Sequence, residues 1–343
     1  MDSPRPLHWF SGHTHDAVDK LAILDQRVAG ADRAGTVWTW DLRTGERRAC
    51  PLDLDAAAPE EQIPDLHGDV QEEYEEVNQA DSHYTVSLLT AAELNGRPVV
   101  VTGGGFRDLA AILGPEYGGG AVRVWDLESG RKIGRTLTGP DTDIYCLATI
   151  PSGRGLLTVA RYEDELVAWN LGNGERVARI PSVSGAVTAA TLDERPVAVI
   201  ADHDAGLRVC DLLTGERRTA IPGSAGLRAN DVAVTRVKGR TVALIAGSEL
   251  SMWDLVTGER VHLPSAGQEQ IPCHLAVSGT LAVTGDADGC ARVWDLTTGE
   301  QVGENLTGHH DQVCAVAIGD VDGRPVVATG GLEGGVGVWR PHG

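Results

Sequence analysis

The chain has 343 residues, 42% of them hydrophobic and 23% charged, the balance of a soluble globular protein. Its formal net charge of −20 excludes duplex nucleic acid and an anionic membrane surface as default partners, because both demand a basic footprint. Six cysteines without a C-x-x-C pair, and no apolar run of signal-peptide or membrane-spanning length, lead to the expectation of free thiols in a cytoplasmic protein.

In chain order, the opening stretch "RPLHWFSGH" (5–13) matches two later segments, "KIGRTLTGP" (132–140) and "QVGENLTGH" (301–309). Each later segment follows a phrase of the form W-D-L-x-x-G. That phrase occurs first as "TWDLRTGE" (39–46), then as "VWDLESGR" (124–131), "AWNLGNGE" (168–175), "VCDLLTGE" (209–216), "MWDLVTGE" (252–259) and "VWDLTTGE" (293–300). With Trp40, Trp125, Trp169, Cys210, Trp253, Trp294 and Trp339 as anchors, the spacings are 85, 44, 41, 43, 41 and 45. A second phrase precedes many anchors, as in "NGRPVVVTGG" (95–104) and "DGRPVVATGG" (322–331). A turn pair, a β-branched run and glycines spell a hairpin. Each unit of 40–45 residues therefore reads as three short strands plus a linking strand.

The doubled first spacing has a cause in two extra segments. Residues 51–83 hold eleven Asp and Glu and no Lys or Arg. Residues 106–119 lengthen the interval from Thr102 to Trp125 to 23 residues, against 10 between Thr284 and Trp294. Helical spacing recurs in both: Val70, Tyr74 and Val77 after a capping Asp69, and Phe106, Leu109 and Leu113. Two short helices packed against each other over the rim of the first two units are expected, with Glu72, Glu73, Glu75 and Glu76 in water.

Units of this length with a W-D near their end resemble the WD-repeat β-propeller family. The resemblance covers nearly the whole chain and implies a ring of blades, since one blade cannot bury both faces and a closed stack can. The expected fold is all-β: one seven-bladed propeller over 1–343, closed by the N-terminal strand, with a mostly helical acidic insertion (51–83) and an enlarged loop (106–119) on blade two. The resemblance further implies a hydrogen-bonded tie across each blade. The last blade offers His309, Thr329, Glu333 and Trp339 for it, and the sixth offers Thr284, Asp288 and Trp294, with Gln268 in place of the His. In other blades the tie is broken: Pro140 follows Gly139, and Ala34 stands where the Asp belongs.

Function follows from what is present. There is no nucleophile–base spacing and no phosphate loop. Neither "HTHD" (13–16) nor "HHD" (309–311) has metal-ligand spacing, so no metal or cofactor is expected. The resemblance implies a protein–protein interaction scaffold. Its docking face is expected beside the insertions, with Glu72, Glu73, Tyr74, Glu75, Glu76, Arg107 and Asp108 meeting a protein partner of basic character. The alternative is an enzyme or small-ligand site at the top of the central channel, built from His67, Asp69, His83 and Glu116. A monomeric propeller, with neither nucleic-acid nor membrane partner, is expected. High Ala, Gly, Val and Arg with only three Lys suggest a bacterial source.

Overall fold

A computed structural model describes residues 6–10, 17–32, 37–49, 84–106, 120–140, 142–263 and 271–341. The described residues form seven antiparallel sheets. A lone strand comes first, β1 (His8–Phe10). Blade one holds β2 (Val18–Leu24), β3 (Arg27–Asp32), β4 (Val37–Asp41) and β5 (Arg47–Ala49). Blade two holds β6 (Tyr84–Leu94), β7 (Arg97–Phe106), β8 (Ala121–Asp126) and β9 (Lys132–Thr138). Blade three holds β10 (Cys146–Ser152), β11 (Gly155–Arg161), β12 (Glu165–Asn170) and β13 (Glu175–Pro181). Blade four holds β14 (Ala186–Leu192), β15 (Arg195–Asp202), β16 (Gly206–Asp211) and β17 (Arg217–Ala220). Blade five holds β18 (Ala229–Val237), β19 (Arg240–Gly247), β20 (Leu250–Asp254) and β21 (Arg260–Val261). Blade six holds β22 (Pro272–Ser278), β23 (Leu281–Asp286), β24 (Cys290–Asp295) and β25 (Glu300–Gln301), with β26 (Leu306–Thr307) also on β24. Blade seven holds β27 (Val313–Val321), β28 (Arg324–Gly331) and β29 (Val336–Trp339). Its fourth strand is β1, antiparallel to β29 with His8 opposite Val338 and Phe10 opposite Val336.

The first strand of every blade packs against the first strands of both neighbours, and β27 meets β2. The seven sheets thus make a ring around one axis. Between blades lie apolar clusters, each drawn from two adjacent sheets. One joins Leu21, Val28 and Trp40 of blade one to Ala317, Val326 and Val338 of blade seven and Phe10 of β1. Side chains of alternate strand positions fill these seams, which is why no blade could stand alone.

The recurring W-D-L-x-x-G phrase proves to be a turn between the third and fourth strands. The Asp carboxylate accepts the N–H groups two and three residues on: in Asp254 from Val256 at 2.8 Å and Thr257 at 3.0 Å, in Asp211 from Leu213 at 2.8 Å and Thr214 at 3.1 Å. The Leu side chain is buried, and its N–H donates to the start of the second strand, as Leu255 does to the Thr241 carbonyl at 2.9 Å. The Gly adopts a left-handed backbone, φ 76° at Gly258, that other residues reach only with strain. N–H bonds to the ionised form hold carboxylates low: the Thr44 N–H keeps Asp41 below the usual carboxylate range, and that of Ser129 does the same for Asp126.

In the last blade the Trp339 Nε1 donates to Thr329 Oγ1 at 2.9 Å, and Thr329 Oγ1 lies 2.8 Å from His309 Nε2. Because the hydroxyl oxygen already accepts from Trp339, its hydrogen is free for Nε2, which leaves Nδ1–H facing Glu333. The sixth blade keeps only the Trp294-to-Thr284 bond, 3.1 Å. There Asp288 is taken by Arg292 at 3.2 Å and by the Cys290 N–H, while Gln268 lies outside the described residues. In blade one Gly30 replaces the Thr, and the Trp40 ring occupies the space a Cβ would need.

No helix occurs among the described residues. The helix expected from Phe106 is corrected at its start, because Phe106 closes β7 opposite Tyr84. β6 and β7 extend two residue pairs beyond the shorter hairpins of the ring, and strand pairing holds Phe106 extended. The rest of that helix, 107–113, and the one expected over 69–80 lie outside the described residues.

The candidate binding face and the channel

Strands alternate in direction, so the connections into first strands and those between second and third strands leave one end of the ring. Segments 51–83 and 107–119 both depart there, from Ala49 and Phe106. The expected partner-binding residues Glu72, Glu73, Tyr74, Glu75, Glu76, Arg107 and Asp108 lie outside the described residues. So do His67, Asp69, His83 and Glu116 of the alternative site. The structure neither brings these residues together nor separates them.

The described part of the same end carries two exposed large apolar side chains, Tyr145 at 53% and Ile271 at 58%. They immediately precede β10 and β22. The Arg161 guanidinium lies over the Tyr145 ring at 4.8 Å and donates to the Tyr162 carbonyl at 3.1 Å. Burial lowers the Arg161 pKa from its usual value.

Register places the first strands on a common height scale. Ile23, Thr149, Val234 and Val277 each stand opposite the residue that pairs with their blade's Trp. Three residues before these stand Lys20, Cys146, Asp231 and His274. The other three blades place Leu88, Ala186 and Ala315 there. One residue further along is Leu or Val in every blade, nearly all buried in the seams. Two residues further along is Ala or Thr in every blade, mostly half-buried. Small side chains thus pack at that level against the seams between blades, and a layer with four titratable groups lies two residues earlier on the same strands.

Sequence reading missed this layer. Bulges at the starts of β2, β18 and β22 shift the alternation by one residue, so the polar positions look like ordinary surface alternation. Aligning the seven copies on their Trp anchors would have exposed it.

The layer is electrostatically connected. Asp231 accepts from its own strand's Val232 N–H at 2.8 Å and from Leu275 N–H of blade six at 2.9 Å. Burial outweighs both bonds and pushes its carboxyl up to about 6, with Lys20 pulling the other way. Burial, and then the Lys20 ammonium, hold His274 down at about 4. Cys146 donates to the Val187 carbonyl at 2.8 Å, and burial pushes its thiol above the usual value. A buried, protonated thiol is a poor nucleophile. No group of three or more metal-ligating side chains occurs among the described residues. No helix among them is long and apolar enough to cross a membrane.

With the ring established, comparisons with known proteins decide the family. Residues 118–337, well over half of the chain, match the family described as outer membrane protein assembly factor BamB. The chain belongs to that family. No curated protein sequence matches it. Among solved structures 1562 chains match, a breadth that identifies an architecture rather than an activity. One is the crystal structure of the computationally designed Ika8 protein, with 21% identity and a TM-score of 0.60 over 98% of this chain and 99% of that one. At that identity the likeness shows the fold alone.

Proposed function

We propose that this BamB-family propeller is a protein-interaction module working through the end of the ring where segments 51–83 and 107–119 depart. The observation that carries the reading is the pair of exposed apolar anchors, Tyr145 under Arg161 and Ile271, on that same end. Aromatic and Arg side chains are the usual energetic centres of protein interfaces. Eleven acidic side chains in 51–83 supply a field that attracts a basic partner, with Glu72, Glu73, Tyr74, Glu75, Glu76, Arg107 and Asp108 as its contact set. The family's description as an assembly factor supports a role in bringing proteins together. The W-D phrase and the His309–Thr329–Trp339 tie support the finer likeness to WD-repeat propellers.

A single monomeric domain in a reducing, cytoplasmic compartment accompanies the proposal. Cys146, Cys210, Cys273, Cys290 and Cys314 are all free thiols. The test is co-purification from native cells with wild type, a deletion of 55–80, and Tyr145→Ala. The partner should be retained by wild type, weakened by Tyr145→Ala, and lost with the deletion while the melting transition stays intact. A partner held equally by all three would place the interface elsewhere. Cell fractionation and light scattering test compartment and monomer.

A further inference from the structure

The Asn-Gly pair occurs twice in the chain, at Asn95–Gly96 and Asn173–Gly174. This dipeptide is fragile in water, because glycine carries no Cβ to keep its backbone nitrogen away from the asparagine amide. The two copies sit in different surroundings. Asn173 accepts the Glu175 N–H at 2.9 Å and donates to the Glu175 carboxylate at 3.2 Å. The Gly174 N–H, the group that would attack, donates to the Asn170 carbonyl at 2.8 Å. Both reacting groups are thus held. Asn95 and Gly96 form the tip of the β6–β7 hairpin, beyond the last pair Leu94–Arg97. Their φ angles, 52° and 76°, make the two-residue turn that Asn-Gly favours. Both residues are exposed, and a Cβ on Gly96 would meet nothing within 4 Å. Among the described residues neither the Asn95 side chain nor the Gly96 N–H makes a hydrogen bond.

We propose that Asn95 is a site of spontaneous deamidation, a modification from which Asn173 is protected. The Gly96 nitrogen attacks Asn95 Cγ and gives up its proton to water. The bond from Cγ to Nδ2 breaks, ammonia leaves, and a succinimide ring closes. Water then opens the ring. Cleavage at Cγ yields aspartate in normal linkage. Cleavage at the former backbone carbonyl yields isoaspartate, whose main chain runs through the side-chain carbons. Nothing is oxidised or reduced, and either product adds a negative charge. The fold takes the two products differently. The corresponding turns of blades four and seven carry Asp193 at φ 50° and Asp322 at φ 56°, so aspartate fits without rearrangement. Isoaspartate lengthens the main chain between Leu94 and Arg97, the pair that closes the hairpin and fixes its register. The turn lies at the end of the ring opposite Tyr145 and Ile271, so the modification bears on the stability of blade two.

Peptide mapping of the full chain, aged in mildly alkaline buffer with and without denaturing urea, tests this. In the folded protein the Asn95 peptide should gain one mass unit and separate into aspartyl and isoaspartyl forms. It should do so about tenfold or more faster than the Asn173 peptide, the factor that one or two hydrogen bonds represent. In urea the two rates should converge. Asn95→Asp should melt like wild type, and the isoaspartyl fraction should melt lower. The proposal is overturned by equal rates at the two sites in the folded protein, by faster conversion at Asn173, or by no conversion at Asn95 outside urea. A difference that persists undiminished in urea also overturns it, because the protection would then come from sequence and not from the fold.

Discussion

Asp231 and His274 stand on neighbouring strands and titrate in opposite senses. The Asp231 carboxyl is raised from 3.8 to about 6, so its share of stability is complete below 3.8 and is lost as pH rises toward 6. The His274 imidazole is lowered from 6.5 to about 4, so its share is complete above 6.5 and is lost as pH falls toward 4. Each window spans roughly two units, about 3 kcal/mol at most. In the wild type the two slopes oppose each other between pH 4 and 6 and largely cancel. Each single variant should uncover one slope: His274→Gln loses stability as pH rises through that range, and Asp231→Asn loses it as pH falls. Urea midpoints measured against pH report both; a flat profile in either variant would contradict the assignment. The tie in the last blade gives a second test at this scale. Thr329→Val keeps the shape but leaves Trp339 Nε1 and His309 Nε2 without their shared partner. It should cost about 2–3 kcal/mol, against about 1 for Thr284→Val, which strands one donor.

At the scale of the element, the third-to-fourth-strand turn decided how much of the molecule could be read in advance. Trp, Asp, Leu and Gly in that phrase each do a separate local job: seam packing, capping two N–H groups, tying back to the second strand, and supplying positive φ. Local chemistry repeated at one period is legible without coordinates, so strand order and blade count were accessible. Replacing parts of one copy should show the division of labour. Asp254→Ala removes the acceptor for Val256 and Thr257 and should cost about 1–2 kcal/mol. Gly258→Ala forces a left-handed alanine whose Cβ also meets Pro222 at 3.3 Å, and should cost about 1–2 kcal/mol or more. Denaturation midpoints of the two variants check this. The layer of titratable groups was not legible for the opposite reason. Lys20, Cys146, Asp231 and His274 are far apart in sequence and share no phrase; only ring closure gives them a common height. The helical spacing at Phe106 misled because pairing across a hairpin overrides local periodicity where β6 runs long enough to hold it.

For the whole molecule, the seam between blades seven and one is the place where ring integrity depends on chain ends. First strands meet there as elsewhere, but β29 gains its outer neighbour only from β1. Two aromatic side chains fasten it. Trp9 lies against His309 and edge-on to Trp339, within blade seven. Phe10, 9% exposed, stacks on Trp40 at 5.5 Å and so crosses to blade one. Phe10→Ala should therefore loosen two blades at once and cost about 3 kcal/mol. Deleting residues 1–10 should do more, since β29 becomes an unpaired edge with its apolar face bare, a template for another chain. The expected result is a lower melting temperature together with concentration-dependent self-association by light scattering. A peptide spanning residues 5–11 added in trans should suppress that association by re-pairing with β29. If the truncated protein stays monomeric and melts like wild type, then the seven first-strand contacts alone hold the ring, and β1 is a passenger on a propeller already closed from within.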